Sequence, residues 1–341
     1  MGARSAQCYL AGMTHIDLDQ APVAPRGSLG GVPVVDLSAP HEAVAAAIAQ
    51  ACRDWGFFQV TGHGVSGGEV ERVIATARAF FARPREAKRR QLRSRDNPWG
   101  FYDRELTKEQ RDRKEVFDIG PDAGGFAAVP GDPFEGLTPW PEMPQSFQPA
   151  MRDWFAAMAG VAQRLVALIG EGLSDGGEMS RAFTPAHTSY LRLNFYPLGD
   201  ALAEETGSEA RLGIHHHTDA GALTVLLQDG VGGLQVHHLG QWHDVEPLPG
   251  AFTINIGDMV QVWSNDRYRA PPHRVLAMDR AERISIPFFY NPAYSADIRP
   301  LIGTPHYAPL NWGEFRRRRA DGDFADYGTE VQISDWRVAA M

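Results

Sequence analysis

The chain predicts an α+β fold with a mainly β core: a double-stranded β-helix (jelly roll) with a helical N-terminal region and a C-terminal helix. Three observations carry this. From Thr188 onward, short β-branched segments alternate with Gly, Pro, Asn and Asp, as in an antiparallel sandwich or barrel. Between His41 and Leu173, apolar residues recur mostly at helical spacing. No internal repeat or long linker separates the halves, so the helical part is expected to pack on the β core. The expected divisions are a loose Gly/Pro/Ala-rich lead-in (1–31), the helical region (32–180), the jelly-roll core (181–300) and a C-terminal helix with its tail (301–341).

Taken in order, the apolar run Val32–Leu37 reads as a strand. His41 to Trp55 reads as a helix with Val44, Ala47, Ile48, Ala51 and Cys52 on one face, ended by Gly56. Phe57–Val60 is a strand and Thr61–Val65 a turn. Helices follow over about 69–81 and 84–92, and Asn97–Asp103 reads as a loop. A long helix over about 144–173 sets Trp154, Met158, Val161, Leu165 and Ile169 at core spacing. Expected strands are Tyr190–Tyr196, Leu223–Leu227, Gly233–Val236, Trp242–Pro247, Phe252–Ile256, Met259–Trp263, His273–Met278 and Ile284–Tyr290. Asp200–Arg211 reads as an exposed loop, Pro309–Arg319 as a helix and Asp321–Tyr327 as a turn.

An apolar content of 43% supports a substantial core, and a net charge of −9 argues against nucleic acid as a partner. Lys88-Arg89-Arg90 and Arg316–Arg319 read as solvated helix faces. Cys8 and Cys52 form no disulfide framework and suit a reducing cytoplasm. No apolar run reaches the roughly 18 residues a membrane span needs. The N-terminus lacks the long apolar stretch of a signal peptide.

His217-Thr218-Asp219 carries the chemistry, together with His273. On a strand, residues i and i+2 face the same way, so His217 and Asp219 can address one ion. His273 opens another expected strand. Two imidazoles and one carboxylate suit a first-row divalent ion, ferrous iron above all, and leave coordination positions open. No thiolate is near, which argues against structural zinc. His215 shares the face of His217 and could be a ligand, a neighbour or a pocket-lining residue; His216 should face away. His63, His237, His238 and His243 suit surface or turn roles. Arg283 and Ser285 alternate on one strand and offer a bidentate cation and a hydroxyl to a carboxylate. Tyr196 could add a phenol, although by itself it reads as a core aromatic. A zinc or manganese hydrolase lacks its H-E-x-x-H-type signal here. A non-catalytic jelly-roll metal-binding protein is the remaining alternative. Candidate substrate residues are Phe101, Tyr102, Arg104, Arg192, His215, Phe288, Tyr290 and Trp312, with Asn291 closing the last strand and Phe315 beside Trp312 on a helical lid. Arg104 and Arg192 could meet an acidic substrate.

These motifs, with several others, resemble the isopenicillin N synthase-like family of non-haem Fe(II)/2-oxoglutarate-dependent dioxygenases. The resemblance runs from Val32 to about Arg337. It rests on Val34-Val35-Asp36-Leu37, Trp55-Gly56-Phe57-Phe58, Gly62-His63-Gly64-Val65, Asn194-Phe195-Tyr196-Pro197, His217-Thr218-Asp219-Ala220-Gly221, Gly257-Asp258, Asn265, His273-Arg274-Val275 and Arg283-Ile284-Ser285. It implies that His217, Asp219 and His273 bind Fe(II). It also implies that Arg283 and Ser285 take the distal carboxylate of 2-oxoglutarate, with Tyr196 and Asn194 assisting. The implied co-substrates are 2-oxoglutarate and O2, with ascorbate as a candidate reductant. The implied reaction is hydroxylation, desaturation or ring closure of a small organic molecule, releasing succinate and CO2. Ala270 stands where many relatives carry serine, a position that is not a ligand. Isopenicillin N synthase and the ethylene-forming oxidase keep the Arg-x-Ser pair without using 2-oxoglutarate, so an iron oxidase of that kind is the alternative. No membrane partner is expected, and oligomeric state is not legible.

Overall fold

Alternating apolar and polar residues build two sheets whose facing sides enclose one cavity. The computed structural model describes residues 18–24, 31–94, 97–107, 110–124, 136–142, 144–322 and 331–338. The first half runs β1 (Val34–Asp36), α1 (His41–Asp54), β2 (Phe57–Thr61), α2 (Gly67–Phe81), α3 (Arg85–Lys88), β3 (Gly100–Tyr102), β4 (Leu106–Thr107), β5 (Gln110–Arg111), β6 (Glu115–Ile119), α4 (Phe147–Glu171) and α5 (Glu178–Arg181). The second runs β7 (Tyr190–Tyr196), α6 (Ala203–Thr206), β8 (Leu212–His217), β9 (Leu223–Gln228), β10 (Leu234–His238), β11 (Gln241–Asp244), β12 (Phe252–Ile256), α7 (Asp258–Trp263), β13 (His273–Leu276), β14 (Arg283–Tyr290), β15 (Asp297–Ile298), β16 (Leu310–Asn311) and α8 (Trp312–Gly322).

The eight-stranded sheet has the order β1-β2-β12-β9-β14-β7-β6-β3; the four-stranded sheet has the order β11-β10-β13-β8. One face of the large sheet carries Phe58, Val60, Val225, Ile254, Ile284, Ile286, Phe288, Leu191 and Leu193. These join Trp154, Met158, Leu165 and Ile169 of α4 in the main core. The long helix forms because that apolar stripe is continuous. α2 starts at Ser66, whose hydroxyl accepts from the Glu69 amide while Glu69 accepts from the Ser66 amide, a reciprocal cap. The other face meets the small sheet through Phe57, Tyr196, Leu226, Leu234, Val236 and Val275. This is the jelly roll with helices that the alternation predicts.

Several local expectations change. Asn97–Asp103 contains β3, because Gly100 to Tyr102 extend the large sheet beside β6. Met259–Trp263 is α7, not a strand: the Asp258 and Met259 amides donate to the carbonyls of Asp219 (2.8 Å) and Gly221 (3.0 Å). Ala49, not Ala47, lies on the buried face of α1. Asp200–Arg211 holds α6 and buries Leu202 and Ala210, with Asp200 accepting from both their amides. Lys88 is buried, donating to the Phe81 carbonyl at 3.0 Å and pairing with Glu115. Arg319 is buried too, donating to Val331, while Arg317 and Arg318 are exposed. His243 is buried and His238 stacks on Trp55. Part of the lead-in is ordered on the small sheet: Trp242 donates to Pro22 and Leu18 and accepts from Ala24. Asp321 and Gly322 end α8; 323–327 and Cys8 lie outside the described residues.

Candidate functional site

The ligand-type side chains meet because β13 pairs antiparallel with β8 and sets His273 directly opposite His217. β8 ends at His217. Asp219 follows in a turn rather than on the strand, and the turn is held by the first amides of α7. Gly257, just before α7, sits so close that a Cβ there would lie 2.2 Å from the Gly221 carbonyl. Asp219 Oδ1 is 3.7 Å from Nε2 of both His217 and His273. Among the described residues these three form the one cluster of His, Cys, Asp and Glu side chains whose ligand atoms lie within 4.8 Å of one another.

The remaining polar atoms of the cluster are all occupied. Asp219 Oδ2 accepts from Asn255 Nδ2 at 2.7 Å and from the Thr224 hydroxyl. Nδ1 of His217 donates to the His215 carbonyl (2.8 Å), and Nδ1 of His273 to the Pro271 carbonyl (3.2 Å). That fixes both tautomers, leaving the Nε2 lone pairs and Oδ1 converging on one point, which fits a divalent ion. Burial, then the neighbouring His273, pushes the His217 imidazole down to about 3, so it is neutral at physiological pH. Burial alone would raise the Asp219 carboxyl. The two imidazoles and the Thr224 and Asn255 hydrogen bonds outweigh it and hold the carboxyl below its ordinary value.

The three side chains line a cavity of about 800 Å³ between the sheets. Arg283, Ser285, Asn194 and Tyr196 line it as well. Arg283 is 1% exposed; Nη2 donates to Gln228 (2.9 Å), while Nε and Nη1 have no protein partner. Its guanidinium lies 4.8 Å from the Tyr196 ring centroid. Ser285 Oγ lies 3.3 Å from Asn194 Nδ2 and 3.5 Å from the Tyr196 hydroxyl. Two buried, unsatisfied N–H groups beside a hydroxyl fit an incoming carboxylate.

The expected substrate residues divide. Arg192 and Trp312 line the cavity, as do Asn291 and Arg316. Phe101 lies in the main core. Tyr102 lies under Arg93, whose guanidinium is 4.1 Å from its ring. Arg104 pairs with Glu205 at the surface. Phe315 packs on Trp336. His215 is buried against Asp112 (3.0 Å), and His216 meets Asp19 (3.1 Å). Phe288 and Tyr290 face away, against Phe155 and Phe183. The reason is parity: Arg283 and Ser285 face inward, so Pro287 and Phe289 do also, and the even positions cannot.

Sequence reasoning named Arg192 but missed the rest of the charged wall. Lys114 donates to Glu105 (2.7 Å) and pairs with Asp112 (3.2 Å). Arg192 spans Asp118 (2.6 Å) and Glu105 (2.9 Å), and Arg93 reaches both carboxylates. Burial alone would raise the Glu105 carboxyl, but Arg192, Lys114 and Arg93 hold it well below the carboxylate range. Trp99, Tyr190 and Phe289 form an aromatic wall, with Tyr190 stacked on Phe289 at 4.6 Å. The alternation of Tyr196 and Asn194 could have pointed to Tyr190. Nothing in the sequence marked β6 as buried.

Comparison with known proteins shows the family. The family model of the 2OG-Fe(II) oxygenase superfamily matches residues 187–292. A second model, the N-terminal region of non-haem dioxygenases in morphine synthesis, matches 32–143. Gibberellin 2-beta-dioxygenase 4 of Arabidopsis thaliana is 31% identical over 305 residues, covering 84% of this chain and 90% of its own. Flavanone 3-dioxygenase 2 of Oryza sativa subsp. japonica is 34% identical over 271 residues, covering 79% and 76%. The crystal structure of JOX2 in complex with 2OG, Fe and JA superposes with a TM-score of 0.73 at 29% identity, covering 88% of this chain and 86% of that one. Among the described residues no helix is long and apolar enough to cross a membrane. With relatives this similar over most of their length, the chain belongs to the 2OG-Fe(II) oxygenase superfamily and is an Fe(II)- and 2-oxoglutarate-dependent dioxygenase.

Proposed function

We propose that His217 and His273, through Nε2, and Asp219, through Oδ1, are the iron ligands. Arg283 and Ser285 take the distal carboxylate of 2-oxoglutarate, with Tyr196 and Asn194 walling that end. The observation that carries this is Arg283, buried with two N–H groups left for a ligand in the cavity that also holds the ligand cluster. Bound there, iron, 2-oxoglutarate and O2 supply the oxidising chemistry, which yields succinate, CO2 and an oxidised product.

The chain's own work is placement and exclusion of water. The Pro271 and His215 carbonyls aim the imidazoles, and Asn255 with Thr224 hold the carboxylate. No side chain need act as an acid or base. The substrate is a small organic molecule held between the aromatic wall (Trp99, Tyr190, Phe289) and the charged wall (Glu105, Lys114, Arg192). JOX2 bound to JA supports a small-molecule substrate. A reducing cytoplasm is the proposed location, supported by the free, buried Cys52.

The test is anaerobic reconstitution with Fe(II) and 2-oxoglutarate, then oxygen with candidate substrates. A visible charge-transfer band and release of succinate and CO2 are expected. His217→Ala and Asp219→Ala should lose both; full turnover in either variant overturns the ligand assignment.

A further inference from the structure

Asp112 is fully buried just outside the ligand cluster, and all its acceptor positions are in use. Oδ1 accepts from the backbone amide of His215 (3.1 Å) and from the ring Nδ1–H of the same residue (3.0 Å). Oδ2 accepts from the Thr107 hydroxyl (2.8 Å) and pairs with the Lys114 ammonium (3.2 Å). The backbone beside it is anchored as well. The Asp112 amide donates to the Glu105 carbonyl (3.0 Å), and the Arg113 amide to the Leu212 carbonyl on β8 (2.9 Å). The carbonyl of His215, the residue Asp112 grips at two points, accepts the Nδ1–H of His217 (2.8 Å).

We propose that Asp112 is a positioning residue for the metal centre. It clamps the His215 residue whose carbonyl orients the His217 imidazole, and through Lys114 it ties that orientation to the charged wall of the substrate cavity. The N-terminal half thereby builds part of the metal centre without supplying a ligand. A carboxylate is needed because four donors converge on it, one of them an ammonium; a neutral side chain leaves at least one donor facing no acceptor. The inference rests on His217 being an iron ligand.

The experiment compares wild type, Asp112→Ala, Asp112→Asn and His217→Ala. Three quantities are read anaerobically: Fe(II) affinity by competition with a chromogenic chelator, the visible band with 2-oxoglutarate, and the melting temperature of the metal-free protein. Asp112→Ala should weaken Fe(II) binding about tenfold to a hundredfold and shift or broaden the band, as loss of an outer-sphere partner does. Asp112→Asn keeps the volume and serves where the alanine variant does not fold. However its amide turns, an N–H faces another donor, and affinity should fall about threefold or more. A folded Asp112 variant with wild-type Fe(II) affinity overturns the proposal, even if its metal-free melting temperature is lower. If His217→Ala itself keeps wild-type affinity, the ligand assignment falls instead, which separates the two failures.

Discussion

Asp219 has two unlike oxygens, and the difference is set by neighbours: Oδ2 is held by Asn255 and Thr224, and Oδ1 faces two imidazole nitrogens. Arg283 shows the same division within one guanidinium, where one nitrogen is satisfied by Gln228 and two are left for a ligand. Arg283→Gln should therefore weaken 2-oxoglutarate binding by the value of charge-assisted hydrogen bonds, about 1.5–3 kcal/mol or roughly tenfold to a hundredfold. Titrating the anaerobic Fe(II) protein with 2-oxoglutarate and following the visible band measures this; unchanged affinity places the co-substrate elsewhere. These residues were legible because two imidazoles, a carboxylate, a guanidinium and a hydroxyl at strand spacing have few other uses. Phe288 and Tyr290 were misplaced although Arg283 already fixed the parity of their strand. Lys114, Glu105 and Asp118 were not legible at all. Charged residues ordinarily face water; the pairing of β6 with β7 puts Asp118 beside the cavity, and Glu105 and Lys114 reach it from the segments before β4 and β6.

Elements hold the ligand turn from both sides. β13 brings His273 to His217, and the first turn of α7 caps the segment Asp219–Ala222 through three amide donors, from Gly257, Asp258 and Met259. The helix needs acceptors for its first amides and the turn needs donors for its carbonyls, so each completes the other. Such reciprocity cannot be read from Met259–Trp263, whose β-branched and aromatic residues alone suggest a strand. It requires close approach at Gly257, where a Cβ would meet the Gly221 carbonyl at 2.2 Å and the Asp219 carbonyl at 2.8 Å. Gly257→Ala should force α7 off the turn, destabilising the protein by about 1–3 kcal/mol, the usual range for overpacking. It should also weaken Fe(II) binding, because one of the two displaced carbonyls belongs to Asp219. Thermal melting and chelator competition read the two effects; a normal Fe(II) affinity would mean the turn holds its shape without the helix.

At the scale of the molecule, the large sheet is built from both halves of the chain in an interleaved order. β2, from before the long helix, pairs with β12 and carries β1 at its outer side; β6 and β3, also from before the helix, continue outward from β7. The strands β12, β9, β14 and β7 thus lie between N-terminal strands on either side. The division of the sequence into a helical region and a jelly-roll core follows its texture. Texture is local, whereas pairing between Phe57 and Asn255 spans most of the chain and leaves no mark on either segment. The charged wall repeats the pattern: Arg192 comes from the second half, while Glu105, Lys114 and Asp118 come from the first. Without the first half, β12 and β7 become bare edges and Arg192 loses both carboxylates that hold it. The protein should therefore unfold in one transition, with a calorimetric to van't Hoff enthalpy ratio near one for the metal-free chain. A fragment of residues 187–338 should show no cooperative melting. Two resolved transitions, the later one surviving in that fragment, would mean the halves are separate folding units and the interleaved sheet contributes little to holding them together.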